Sequence, residues 1–394
     1  MVATIPYALN AFMAPHIRTL SKENNITLVT TGRAEDMNSL MSDHVCFFPV
    51  RIERKISLLN DMAALYNLWR LFRRERFDVV HSIAPKSGLL AMTAAKLAGV
   101  PVRIHTFTGQ VWATRRGLGR LLLRSLDQLL AACATNLLAD SHSQRDFLLM
   151  EKITQPNKIT VLAQGSICGV DPERFIPDPV RRQAIRNMHG IPLEATVALY
   201  LGRLNREKGI PELAAAFAST SAQCMGLHLL VVGPDEGGMK ELMISTAGDA
   251  AQRLHFVGFS SEPEAYMAAA DFFVLPSHRE GFGSTVIESA ACGIPSIGNR
   301  VYGLTDAIVD DQTGLLVPAG DTDALTKAMV KLATDVNFRL KLGEQAMGRV
   351  LRDFQMKCLT DALTEYYETL FRTCRVRLAA RPQIVSSRTS QKRI

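Results

Sequence analysis

Two carboxylates, Glu280 and Glu288, stand with seven residues between them, and the interval opens on a glycine-rich turn, Gly281-Phe282-Gly283-Ser284-Thr285. The run just before, 271–276, is apolar and closed by a proline, so it reads as a buried strand. The run just after, 284–292, reads as a helix. Glu280 is then expected on the loop leaving the strand, and Glu288 about one turn into the helix. The backbone N–H groups of Gly283, Ser284 and Thr285 are expected to be the unpaired donors of that helix. Such a terminus is an anion site suited to a phosphate. One loop therefore offers phosphate donors together with two carboxylates able to accept hydrogen bonds from sugar hydroxyls. That combination points to a nucleotide sugar.

A second constellation is cationic. Arg203 and Lys208 lie in Gly202-Arg203-Leu204-Asn205-Arg206-Glu207-Lys208-Gly209, just past an apolar strand expected at 195–202. Breaking a sugar–phosphate bond builds negative charge on the departing diphosphate, and fixed cations aimed there stabilise the transition state more than the ground state. An isolated pair of this kind would read as solvated cations capping a loop. Beside the Glu280 loop, the pair reads as catalytic. A glycosidase-like acid–base role for Glu280 and Glu288 is disfavoured, because one phosphate-binding turn sets both. His105 ends an apolar strand at 102–107 and is expected to point into a cleft; a buried histidine satisfied by a carbonyl is the plainer alternative. Lys86, just before a helix, reads either as a contact for an acceptor phosphate or as a surface cation. Asp321, before a helix at 324, reads as an N-cap and not as part of a D-x-D metal site, and no metal or cofactor is expected.

These residues need elements to hold them. Apolar strands are expected at 26–31, 46–50, 78–83, 102–107 and 136–140, then at 195–202, 227–233, 254–259, 271–275, 295–298 and 314–317. Helical stretches alternate with them, notably at 58–72, 87–98, 115–133, 210–219, 262–270, 284–292 and 324–332. Continuous apolar strands alternating with helices imply parallel sheets covered on both faces. Only four residues precede Pro6 for a first strand after Met1, so that strand is expected to be abbreviated. Pro172, Pro177 and Pro179 mark a linker. The reading is two Rossmann-like α/β domains, 1–175 and 176–374, with a ligand in the cleft at the carboxyl ends of their strands.

Composition narrows the rest. Apolar residues make up 47% of the 394 and charged residues 21%, which supports sizeable cores and argues against global disorder. No apolar run is long enough to span a bilayer, and no signal-peptide pattern opens the sequence. The seven cysteines include no C-x-x-C pair, which fits reduced thiols in the cytoplasm and gives no metal signature. The net charge of +7 is concentrated in 375–394, where Arg375, Arg377, Arg381, Arg388, Lys392 and Arg393 occur without an acid. This tail reads as disordered, either a solubilising arm or one resting on anionic lipid. The body lacks a basic stripe, so nucleic acid is not an expected partner. In 115–133, Arg116, Arg120 and Arg124 fall on one helical face and Leu118, Leu122, Leu126 and Leu129 on the other. That helix either packs on the core or, with Trp112, meets a membrane.

The sequence also resembles a known family. Gly202 to Gly209, the Glu280-x7-Glu288 spacing, Ala290-Ala291-Cys292-Gly293-Ile294-Pro295 and Gly314-Leu315-Leu316-Val317-Pro318 are similar to the signatures of retaining family 4 glycosyltransferases. His105-Thr106-Phe107-Thr108-Gly109-Gln110-Val111-Trp112 and His81-Ser82-Ile83-Ala84-Pro85-Lys86 resemble a bacterial subgroup that extends lipid-linked oligosaccharides for capsule, O-antigen or exopolysaccharide. The resemblance runs from Pro6 to about Phe371. It implies the GT-B architecture, with a last helix near 354–371 packing back on the first domain.

For the site, the resemblance implies Glu288 on the ribose, Glu280 at the donor sugar, and His105 near sugar and acceptor. It places Gly202, Phe282, Gly283, Ser284, Thr285 and Gly303 around the nucleotide sugar. Asn10 stands where many relatives have a glycine-rich turn, a departure that weakens any phosphate contact there. The implied activity is metal-independent, retaining transfer of an N-acetylhexosamine or related sugar. The donor would be a UDP-sugar, the acceptor an undecaprenyl-diphosphate-linked saccharide, and the place the inner face of the plasma membrane. The rival readings are a sugar-nucleotide epimerase of the same fold and a non-catalytic sugar-nucleotide binder. A nicotinamide dehydrogenase is disfavoured because no G-x-G-x-x-G follows a strand in the right context.

Overall fold

The computed structural model describes residues 1–53 and 57–379. Its first body holds β1 (Ile26–Thr30), β2 (Val45–Pro49), β3 (Val79–Ile83), β4 (Val102–Phe107), β5 (Asn136–Ala139) and β6 (Ile159–Val161). β1 pairs with β2, and β3 to β6 form a parallel sheet in sequence order. Val2 joins the two groups by bridging Val29 and Ser82. The first strand is thus reduced to a bridge, because Pro6 opens the helix Pro6–Phe12 four residues later.

The second body holds β7 (Thr196–Leu201), β8 (Leu227–Val232), β9 (Leu254–Gly258), β10 (Phe272–Leu275), β11 (Ser296–Asn299) and β12 (Gly314–Val317). Their order is β12-β11-β10-β7-β8-β9, all parallel. The order reverses between β7 and β10. In an open α/β sheet the crevice at the carboxyl ends of such strands binds ligand. The loop carrying Arg203 and Lys208 leaves β7, and the loop carrying Glu280 leaves β10, so the topology alone brings the two motifs together.

The chain crosses between the bodies twice, and the crossings touch. Val170 N–H donates to Phe354 O at 2.8 Å, and Met356 N–H donates to Val170 O at 2.8 Å. The helix Met356–Ala379 then returns to the first body, where the Tyr367 hydroxyl bonds His81 Nδ1 at 2.7 Å. Leu363 and Tyr367 share a core with Leu9, Ile17 and Leu28. This helix runs past the expected end near 371 and takes in 375–379, which the sequence reading assigned to a disordered tail. Residues 380–394 of that tail lie outside the described residues.

After the linker, Asp178 caps the helix Pro179–Met188 by accepting from Val180 and Arg181 N–H. Arg186 on that helix is fully buried. Its guanidinium donates to Ala269 O at 3.0 Å, Leu193 O at 2.7 Å, Ala195 O at 2.7 Å and Asp271 at 2.8 Å. Asp271 also accepts from Val197 N–H at 2.7 Å and from Arg182 of the same helix at 2.7 Å, so two cations tie the helix to the starts of β7 and β10. Without Arg186, Asp271 keeps Arg182, but the carbonyls of Leu193 and Ala195 lose a buried donor, at about 1–3 kcal/mol for each group left unsatisfied. Arg186→Met should lower the unfolding free energy by about 2 kcal/mol or more in urea denaturation; a loss below about 1 kcal/mol would contradict the assignment.

Candidate active site

Thr108, Arg203, Asn205, Glu207, Lys208, Arg279, Glu280 and Gly281 surround a polar pocket of about 110 Å³ between the bodies. Lys208 Nζ pairs with Glu280 Oε1, and both side chains are largely buried. Arg203 pairs with Glu236 at 2.9 Å, and Arg279 with Glu207 at 2.6 Å. Three cations from two loops therefore converge on one pocket, each held by a carboxylate. Asn205 caps the short turn Arg206–Lys208 by accepting from Lys208 N–H at 3.0 Å, which fixes where the lysine starts. Gly209 follows at φ +71°, and a Cβ there would lie 2.0 Å from Pro276 O. Only glycine lets the β7 loop pack this closely on the end of β10.

Gly303 fixes the other side of the Glu280 loop. At φ +83°, a Cβ on it would stand 2.7 Å from Gly281 O and 2.8 Å from Glu280 O. The helix Ser284–Ala291 begins after Gly283 with no side-chain cap. Gly202 follows β7 directly. Phe282 is buried, its ring 5.2 Å from that of Phe354, so its side chain belongs to the core.

Glu288 does not line the pocket of Glu280. Burial pushes its carboxyl up to about 7, nearby Arg174 draws it down in part, and Glu264 adds to the rise. The two carboxylates of the motif thus occupy different environments, one ion-paired and one without an ion-pair partner among the described residues. Asp140, just past β5, was not singled out from the sequence. Its side chain lies beside Gly281, its Oδ1 has no partner, and burial pushes it up to about 8.

His105 corrects the sequence reading. Its ring is fully buried in the first body, with Nδ1 2.9 Å from Ser82 Oγ and an edge contact to Phe107 at 4.7 Å. The helix Pro85–Ala98 approaches the ring at Gly88. Burial lowers the imidazole to about 3, so it is neutral near pH 7. Alternation along β4 sends His105 and Phe107 to the helix-covered face. Thr108, past the strand end, lines the pocket instead. Lys86 pairs with Asp61 at 2.6 Å. Asn10 lies in a helix and donates to Asp36 O at 2.8 Å. Asp321 accepts from Ala324 N–H at 2.9 Å, as an N-cap does. Among the described residues no group of three or more His, Cys, Asp or Glu is arranged to hold a metal ion.

Two family models match this chain: "Glycosyl transferase 4-like domain" over residues 24–165 and "Glycosyl transferases group 1" over 181–349. The chain belongs to the family 4 glycosyltransferases. It is 28% identical over 365 residues to the capsular polysaccharide biosynthesis glycosyltransferase CapM of Staphylococcus aureus, covering 91% of this chain and 94% of CapM. It is 27% identical over 329 residues to the UDP-Gal:alpha-D-GlcNAc-diphosphoundecaprenol alpha-1,3-galactosyltransferase of Escherichia coli, covering 82% and 83%. Its fold matches that of Anabaena Alr3699/HepE, solved with UDP and glucose, at a TM-score of 0.76 and 16% identity over 93% of this chain and 99% of that one. The architecture is GT-B.

Within this glycosyltransferase, Glu288 gives a measurable signature. Its folded-state value near 7 lies above the ordinary 4.5. The folded state therefore holds a proton that the unfolded chain releases, and stability falls as pH rises from about 4.5 to 7. The shift sets an upper bound of about 3 kcal/mol, reduced by the part of the side chain that reaches solvent. Glu288→Gln should be more stable than the parent at pH 8 and nearly equal to it at pH 4.5 in urea denaturation. An equal difference at both pH values would contradict a desolvated carboxyl at this position.

Proposed function

We propose that this glycosyltransferase moves a sugar, an N-acetylhexosamine or a related residue, from a UDP-sugar to an undecaprenyl-diphosphate-linked saccharide, with retention of anomeric configuration. The observation that carries the reading is the convergence of Arg203, Lys208 and Arg279 on the pocket beside Glu280. A departing diphosphate seated there meets fixed positive charge where its own negative charge grows. These cations supply the electrostatics without a required metal. The first-turn amides of the helix Ser284–Ala291 add donors for phosphate. Glu288 takes the ribose hydroxyls and Glu280 orients the sugar. No side chain is assigned as a nucleophile, so the departing phosphate accepts the acceptor's proton on the face it leaves. The acceptor class is supported by the Escherichia coli relative, whose name specifies a diphosphoundecaprenol-linked sugar, and a role in surface polysaccharide by the relative named for capsule synthesis.

A lipid-linked acceptor places the enzyme at a membrane, and we assign it to the cytoplasmic face. No helix among the described residues is long and apolar enough to cross a bilayer. In the helix Gly117–Cys133, Leu123 and Leu130 pack on the core, but Leu118, Leu121, Leu122 and Leu129 do not. Leu118 is 85% exposed and Leu122 58%, while Arg120 and Arg124 turn to Glu151 at 2.5 and 3.2 Å. The helix Leu58–Glu75 likewise exposes Leu58, Leu59 and Met62 at its start. The two helices flank the helix Pro85–Ala98, and both begin on the cleft side of the sheet. With exposed Arg115 and Arg116, this face is apolar and cationic, which suits an anionic lipid surface.

Nucleotide sugars screened with extracted lipid-linked acceptors, read by mass spectrometry, should give one extended saccharide. Epimerised sugar nucleotide formed without acceptor would replace the proposal. Lys208→Ala should lower kcat by about 10²–10³ while the thermal unfolding midpoint confirms a folded protein; near-parental turnover would remove Lys208 from the chemistry. In flotation with anionic vesicles, the parent should rise with lipid and the Leu58→Ser, Leu59→Ser, Leu118→Ser, Leu122→Ser variant should stay below. Equal flotation of both would refute this docking face.

A further inference from the structure

The turn Ser141-His142-Ser143 of the first body grips the Glu280 loop of the second body and, beside it, the segment after β11 that packs on that loop. Ser141 Oγ donates to Gly281 O at 2.8 Å. Ser143 Oγ accepts from Gly303 N–H at 2.8 Å and donates its hydroxyl to the Asp306 carboxylate. Asp306 also accepts from His142 N–H at 3.0 Å and Ser143 N–H at 3.3 Å. A helix start needs acceptors for its free N–H groups, and its own N-cap residue ordinarily supplies one. Here Ser141 does so for Gln144 N–H at 3.1 Å, and a carboxylate 164 residues away supplies the rest across the domain gap. Rings continue the contact: Tyr302 stacks on Phe147 at 4.7 Å, and Phe147 on Trp112 at 5.3 Å. Behind Asp306, Arg349 donates to Asp306 O at 2.6 Å and Ala307 O at 2.8 Å, anchoring the loop to its own body.

We propose that Ser143 and Asp306 are positioning residues for sugar transfer: their cross-domain cap holds Gly303, and through it the Glu280 backbone, in register with the acceptor domain. Gly303 bears directly on the Glu280 and Gly281 carbonyls, so an anchored Gly303 leaves the Glu280 loop one place to sit. The cap acts only when the bodies are together. Nucleotide held by the second body alone does not need it, whereas transfer between the two bodies does. The inference rests on the nucleotide-sugar reading of the Glu280 loop.

The test compares Asp306→Ala, Ser143→Ala, the double variant and Ser143→Thr in the full chain. Calorimetry with UDP reports the nucleotide site. Hydrogen exchange at the Gly303 amide and the X-ray scattering radius report the cap. Turnover is measured with the donor and acceptor that the screen selects. Each alanine variant should bind UDP within about twofold of the parent, exchange the Gly303 amide faster, scatter as a larger particle, and lose about tenfold in kcat, the worth of one charge-assisted hydrogen bond. The double variant should lose little more, because the two side chains act as one pair, and Ser143→Thr should recover most of the rate. Parental kcat in Asp306→Ala, losses that multiply in the double variant, or UDP affinity falling in step with kcat would overturn the proposal. Absence of UDP binding in the parent would instead defeat the nucleotide reading, and exchange and scattering would then decide whether the cap holds the bodies together.

Discussion

The backbone at Glu280 and Gly281 is wedged, and most of the site follows from that. On one side the bare Cα of Gly303 sits against the two carbonyls. On the other, Ser141 holds Gly281 O, and Gly109 approaches the Gly281 amide. From below, Gly209 lets the β7 loop close on Pro276 and deliver Lys208 to the Glu280 carboxylate. Each contact is a steric limit before it is an attraction. Close packing resists displacement, so the backbones that carry Glu280 and Lys208 keep a fixed relation.

Electrostatics then sorts like groups into unlike states. Glu280 has a lysine and is held as an anion partner. Glu288, half-buried, and Asp140, buried, have no ion-pair partner among the described residues, and desolvation raises their carboxyls to about 7 and about 8. His105, expected near the donor sugar and acceptor, is withdrawn into the first body and kept neutral by burial.

The sheets were legible because their strands are unbroken apolar runs, as in Phe272–Leu275, where all four residues are buried. The meeting of the Arg203 and Glu280 loops was legible too, since strand ends at a switch point converge. The face of a strand end was harder to read: two residues separate His105 from Thr108, and alternation decides which one meets the pocket. The helix Gly117–Cys133 was misleading for a different reason. Its leucines and arginines separate cleanly by period, yet periodicity does not say which stripe turns inward, and Glu151 draws the arginines in. The bond between Ser143 and Asp306 left no trace in spacing, because it joins two ordinary polar residues brought together only by the docking of two domains.

The two crossings that touch at Val170 and Gln355 also determine what kind of motion the molecule permits. Connections at separate places would let one body slide over the other. Connections at a single place make a pivot. A few degrees of rotation at such a fulcrum become ångströms at the far rim, and the displacement grows with the lever arm. Opening the cleft therefore needs little backbone change where the chains cross, yet frees most of the distant mouth.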